Sequence, residues 1–292
     1  MALDRKHALR KRFPMSFKWG CSAVLCLIAL GCVQENEPIV AGTALMQCAV
    51  QDLIPGAAVP PALIPPGSCP GHYDMRPGDI QRVAACDALL IHPWQETQAN
   101  VASVVRAAGI PRDKVYVVPV PGNWMVPDAY AEALEAVAEI LATESLGPND
   151  LSDRAEQRSN EVLSLGRNLQ DRLRSAGAAN TVVMCQDMIR PFVEWAGFAV
   201  AGPFGRSEDL SAGDVEALAR LGTDQGVTLV IDNLQSGDEK MGEAVARELG
   251  ADRVVISNFP GGFPNTATWE RALARNVELL LGVLEGLGAP AT

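Results

Sequence analysis

DLSDRAEQRSNEVLSLGRNLQDRLRSA, residues 150–176, is the stretch on which the fold turns. Gly147-Pro148 ends the helical pattern before it, and Asp150 or Ser152 offers an oxygen to cap a new helix. Its apolar residues are few (Val162, Leu163, Leu165, Leu169 and Leu173), while charges are dense. A long helix with one thin apolar stripe suits either a surface position or a strut between two bodies. The flanking sequence favours the strut, because strand-helix alternation stands on both sides of it.

Upstream, PIVAG at 38–42, DALLI at 87–91 and KVYVV at 114–118 read as strands. Helical patterns lie around 44–53, near 97–108 and over DAYAEALEAVAEILATE at 128–144, just after Pro127. Downstream, TVVMC at 181–185, GFAVAG at 197–202, VTLVI at 227–231 and DRVVIS at 252–257 repeat the alternation, and a helix near 267–287 closes the chain. Strands alternating with helices predict parallel sheets covered on both faces. The fold class is therefore α/β: two lobes with parallel sheets, joined by one long rigid linker helix. The expected boundaries are an N-terminal lobe at 33–149, the linker at 150–176 and a C-terminal lobe at 177–292.

The first 32 residues read as an export signal. Six basic residues (Arg5, Lys6, Arg10, Lys11, Arg12, Lys18) precede an apolar run, Cys21–Leu30, too short to span a bilayer, which takes roughly 20 apolar residues. The ending Ala29-Leu30-Gly31-Cys32 resembles a bacterial lipoprotein cleavage box, with Cys32 as the lipidated first residue; either Met1 or Met15 can be the start. Without that segment the formal charge moves from −11 to −16. An acidic chain lacks the basic surface that phosphate backbones require, so nucleic acid is excluded as the main partner. An apolar content of 48% with 20% charged residues excludes a disordered tail protein and a collagen-like chain. Cys48, Cys69, Cys86 and Cys185 remain, with no CxxC pair, so a zinc knuckle is unsupported and disulfide pairing stays open.

Four blocks then carry a family resemblance. PPGSCPGHYDMRPGDI at 65–80 matches, at Pro65, Pro66, Gly67, Pro70, Tyr73, Pro77 and Asp79, a motif of the form Pro-Pro-Gly-x-x-Pro-His-x-Tyr-Glu-Pro-x-Pro-x-Asp. RVAACDALLI at 82–91 and Glu96 continue it. PGNWMVP at 121–127, QDMIRPFVEWAGF at 186–198 and VVISNFPGG at 254–262 follow in order. Together they resemble the zinc- and manganese-binding solute receptors of ABC importers. The resemblance implies a solute held in a cleft between the lobes, a lipid-anchored periplasmic or cell-surface location, and an inner-membrane ABC permease as partner, with no enzymatic activity.

The departures fall on the ligands. By register, the family's three His positions are Gly71, Gly122 and Gln186, and its carboxylate position is Ser257. Transition metals take imidazole, thiolate or carboxylate donors; glycine has no side chain, and amides and hydroxyls bind such ions weakly. Two expectations follow. In one, the cleft still holds a transition metal ion (zinc, manganese or copper), and a slip in the loops brings His72, Cys69 and Cys185 together as a soft site for copper or zinc, with methionines such as Met75, Met125 and Met184 at hand; Met184 and Cys185 equally suit a buried strand. In the other, the glycines open the cleft for an organic solute or metal chelate held by Asn123, Gln186, Ser257 and backbone N–H groups, with Trp94, Trp124 and Trp195 as candidate walls. His92 either lines that cleft or is a satisfied loop histidine, and Asp187 reads as a helix cap. With His72 and His92 as the histidines left after Cys32 and no G-x-S-x-G turn, hydrolysis has little to stand on.

Overall fold

The alternation read from the sequence is realised as two parallel sheets in a computed structural model, which describes residues 38–56, 61–206, 210–237 and 240–288. The expected export signal and Cys32 lie outside the described residues, all of which belong to one unit spanning Asn36–Thr292. No described helix is long and apolar enough to cross a membrane.

In the first lobe the strands are β1 (Ile39–Ala41), β2 (Ala88–Ile91) and β3 (Val115–Val117), in the order β1-β2-β3. Helices α1 (Ala44–Leu53), α2 (Pro77–Ala85), α3 (Ala99–Ala108) and α4 (Pro127–Thr143) accompany them. Every strand pair is parallel, with Val40 opposite Leu89 and Leu90 opposite Tyr116. The pleat then sorts side chains by face. Ile39, Ala41 and Leu90 join the core shared with α1 and α4, whereas Val40, Leu89 and Ile91 pack outward against Val83 of α2 and Val101 and Val104 of α3. Burial on both faces explains why ALLI shows no polar alternation.

Helix α5 (Leu151–Ser175) crosses to the second lobe. Its buried residues Leu151, Ala155, Ser159, Val162, Gly166, Leu169 and Leu173 recur every three or four positions, so one stripe faces inward and the rest is solvated. At 1.5 Å per residue it forms a rod of about 37 Å. Gly166 is needed for a close approach: a Cβ there would stand 2.5 Å from Pro127 Cγ of α4.

The second lobe holds β4 (Val182–Gln186), α6 (Arg190–Trp195), β5 (Ala199–Phe204), α7 (Ala212–Gln225), β6 (Leu229–Asn233), α8 (Lys240–Leu249), β7 (Asp252–Ile256) and α9 (Trp269–Gly288). Its sheet runs β5-β4-β6-β7, all parallel. The chain leaves β4 toward one edge and β6 toward the other, so the carboxyl ends of β4 and β6 flank a topological switch point. Val183, Cys185, Leu229, Ile231, Val254 and Ile256 face the core shared with α5 and α9; Met184 and Val230 face Met241 and Val245 of α8.

A polar seam bolts the lobes to the rod. Asp52 of α1 accepts from Tyr130 Oη at 2.8 Å and from Arg158 Nε of α5 at 3.0 Å. Arg158 also pairs with Glu270 of α9. The Tyr130 ring stacks on Trp269 with centroids 4.7 Å apart, and Trp269 Nε1 donates to the Trp124 carbonyl at 2.8 Å.

Candidate functional site

Five of the strand ends, from both sheets, open onto one cavity of about 340 Å³. From the first lobe come Leu45 of α1, Pro70, His92 and Trp94 after β2, Gln98, and Gly122, Asn123 and Trp124 after β3. From the second come Asp187, Met188 and Pro191 after β4, Asn233 and Gln235 after β6, and Asn258 and Phe259 after β7. The four motif blocks, far apart in the chain, therefore meet.

Asp79, Asn100 and Gly122 do local structural work. Asp79 accepts from Arg76 N at 2.8 Å and from Arg82 Nη2 at 2.8 Å, capping α2, and Asn100 Nδ2 donates to the carbonyls of Pro70 and Tyr73 at 2.8 and 3.0 Å. These bonds set Pro70 against the cavity. Gly122 has φ +86°, a left-handed conformation that strains other residues, so backbone geometry explains glycine there.

The ligand-register positions turn away from metal chemistry. At Gly71 the space a side chain would enter holds Arg206, whose Nη1 lies 3.5 Å from the Cβ position. Gln186 lends its Oε1 to Met188 N at 2.8 Å, capping the turn after β4. That leaves the cap to Gln186, and Asp187, expected as a cap, is exposed at the cavity rim. Ser257 Oγ accepts from Gln235 Nε2 at 2.9 Å and donates to the Phe259 carbonyl at 2.8 Å.

Nor does the soft-metal set assemble. His72 and Cys69 share a second depression beside Gly237, together with Met75. Cys185 is instead fully buried on β4, its thiol pushed up to about 12 by desolvation and so kept protonated. Among the described residues no three His, Cys, Asp or Glu side chains converge in a way that could hold a metal ion. Cys48, Cys69, Cys86 and Cys185 are all free thiols. Met125 and Met184 are core residues of separate clusters.

Where a metal would join the blocks, amides join them. Asn123 Nδ2 donates to the Met188 carbonyl at 3.0 Å and to Asn258 Oδ1 at 2.6 Å, and its own Oδ1 accepts from Met125 N. Gln235 Nε2 reaches the Pro66 carbonyl at 2.6 Å, while its Oε1 accepts from Asn258 N at 2.8 Å. Second, third and fourth blocks are thus laced directly across the lobes.

Three groups in the cavity are left over. Among the described residues, the buried side-chain polar atoms with neither hydrogen-bond nor ion-pair partner are His92 Nδ1, Gln98 Oε1 and Asn233 Nδ2, and all three belong to cavity-lining residues. His92 and Asn233 are 2% and 1% exposed. Burial lowers the His92 pKa to about 3, so its ring is neutral at physiological pH. Its Nε2 meets Thr43 Oγ1 at 2.8 Å, and the ring stacks on Trp94 (5.1 Å, 17°) and tilts against Trp124 (4.1 Å). His92 is thus satisfied at Nε2 by the Thr43 loop and left open at Nδ1, in a residue that borders the cleft. Trp94 lines the cavity as expected, Trp124 borders it but is fully buried and serves as packing, and Trp195 packs on Phe192 instead. Gln98, Asn233, Gln235, Asn258 and Phe259 were not singled out by the sequence reading. Asn233 and Asn258 carry the one available signal, a polar residue at the carboxyl end of a parallel strand.

Two α/β lobes on a rigid rod, with buried hydrogen-bonding groups facing a cleft between them, define a two-lobed solute-binding protein. Residues 39–282 match the family described as zinc-uptake complex component A, periplasmic, and the chain belongs to that family of metal-binding receptors of ABC importers. Solved structures show the same fold. The periplasmic zinc-binding protein TroA of Treponema pallidum is 18% identical, over 84% of this chain and 98% of that one, with a TM-score of 0.69. The solute-binding protein FpvC of Pseudomonas aeruginosa, in complex with Ni2+, is 17% identical over 87% and 98%, with a TM-score of 0.67. The laminin-binding protein Lmb of Streptococcus agalactiae is 15% identical over 84% and 98%, with a TM-score of 0.66. None of the curated proteins compared with the chain matches it in sequence.

Proposed function

We propose that this chain is an exported, lipid-anchored receptor of an ABC importer whose cleft takes an organic solute or a metal chelate in place of a bare metal ion. Residues 1–32 act as the signal, Cys32 carries the lipid, and the two lobes are 33–149 and 177–292 on a linker of 150–176. The observation that carries the reading is the set of three unpartnered buried atoms, on His92, Gln98 and Asn233, around one cavity. Buried polar groups without partners are costly, and a solute that meets them recovers that cost on binding. A bare divalent ion is poorly served, because amide nitrogen is a donor that repels it and Gly71 and Gly122 offer no side-chain ligand.

Catalysis finds no support in the same groups. An imidazole with a pKa near 3 is a weak general base at neutral pH. The partner is a membrane permease that accepts the loaded receptor.

Calorimetric titration with zinc, manganese and copper(I) tests the cargo. The expected outcome is no single-site isotherm; a tight 1:1 isotherm abolished by changing His72 or Cys69 would restore the bare-metal reading. Labelled palmitate incorporation, lost in Cys32→Ser, checks the anchor.

A further inference from the structure

Resting on the receptor reading above, a narrower conclusion concerns the chemical class of the cargo. We infer that the cavity takes a small, flat, uncharged heteroaromatic solute with a hydrogen-bond acceptor and a donor on its edge, as in a ring carboxamide or a pyrimidine dione.

Size comes first. A volume of about 340 Å³ sits at the small end of ligand pockets, which run from about 300 to 1,000 Å³. The walls favour a flat ring: the half-buried Trp94, stacked on His92, presents an aromatic surface, and Phe259, Met188 and Leu45 line the rest with apolar groups. Aromatic faces pair best with other flat rings in offset or edge-on contact.

The polar groups set the edge. Asn233 Oδ1 is already taken by Gln235 N at 3.2 Å, so Asn233 Nδ2 remains as a donor seeking an acceptor on the solute. Gln98 Oε1 is an acceptor and seeks an N–H or O–H. His92 Nδ1 serves as either, since the Thr43 hydroxyl can accept from Nε2 or donate to it. A carboxamide or imide edge offers both functions side by side. Charge decides the rest. Among the described residues, Asp187 is the one charged residue in the lining and no Lys or Arg joins it, so a solute carboxylate would meet no counter-ion among them.

The test uses the mature chain and four organic probes: nicotinamide and uracil as neutral rings, nicotinate and orotate as their acids. Zinc alone is the fifth. Tryptophan emission and calorimetry report binding up to about 1 mM. A neutral ring is expected to bind and change the emission, with its acid at least tenfold weaker. Asn233→Leu should weaken that binding about tenfold or more in protein that remains folded, at some cost in melting temperature because Gln235 N loses its acceptor, and Trp94→Leu should abolish the emission change. Failure of both neutral rings to bind, equal binding of the acids, or undiminished binding by Asn233→Leu with its fold intact would overturn the assigned class. A single-site zinc isotherm with no response to any ring would overturn the organic-cargo reading beneath it.

Discussion

Two groups of buried and half-buried polar side chains lie at the join between the lobes, and they differ in how completely they are paired. In the seam, Asp52, Tyr130, Arg158, Glu270 and Trp269 satisfy one another and tie α1, α4, α5 and α9 together. In the cleft, Asn123 and Gln235 are saturated, yet His92, Gln98 and Asn233 each keep one atom without a protein partner. The seam holds the lobes; the cleft spends stability to keep hydrogen-bonding capacity for a guest.

That contrast makes substitutions diverge. Trp269→Ala removes a fully buried ring stacked on Tyr130 and the bond to Trp124, and should cost about 3–5 kcal/mol in urea denaturation. Asp52→Ala strips a carboxylate from Tyr130 and Arg158 together and should cost about 1–3 kcal/mol. Neither should change the chemical class of solute bound by protein that remains folded.

Acid sharpens the comparison from the cleft side. The folded His92 pKa, about 3, lies below its ordinary 6.5, so between those pH values the unfolded chain holds a proton that the folded chain lacks. Stability contributed by the neutral ring is full above pH 6.5 and is lost as pH falls toward 3. The slope due to this group is about 1.4 kcal/mol per pH unit and should vanish in His92→Gln, as urea midpoints against pH would show. Gln98→Leu should have the smallest effect, within about 0.5 kcal/mol of wild type, while still weakening solute binding. A large loss of stability there would break the distinction between seam and cleft.

Much of this was legible before any coordinates. The linker expected at 150–176 is Leu151–Ser175, and the second strand set begins and ends within two residues of its expected positions. Strong apolar runs and a Gly-Pro breaker leave little freedom there. The loops of the cleft were legible as well, because family blocks mark them. Their chemistry was only partly so. Register pointed to Gly71, Gly122, Gln186 and Ser257, but Gln186 and Ser257 fold back onto their own loops and Gly71 lies beneath Arg206. The groups left open, on Gln98 and Asn233, are single amides whose role depends on which neighbours satisfy the others, and that is settled by packing between lobes.

The most direct measurement is native and denaturing mass spectrometry, with elemental analysis, of the chain isolated from its own host's periplasm. The account predicts a stoichiometric mass increment from a small organic molecule or chelate, released on denaturation. One equivalent of bare zinc or manganese, with no organic mass, would contradict it.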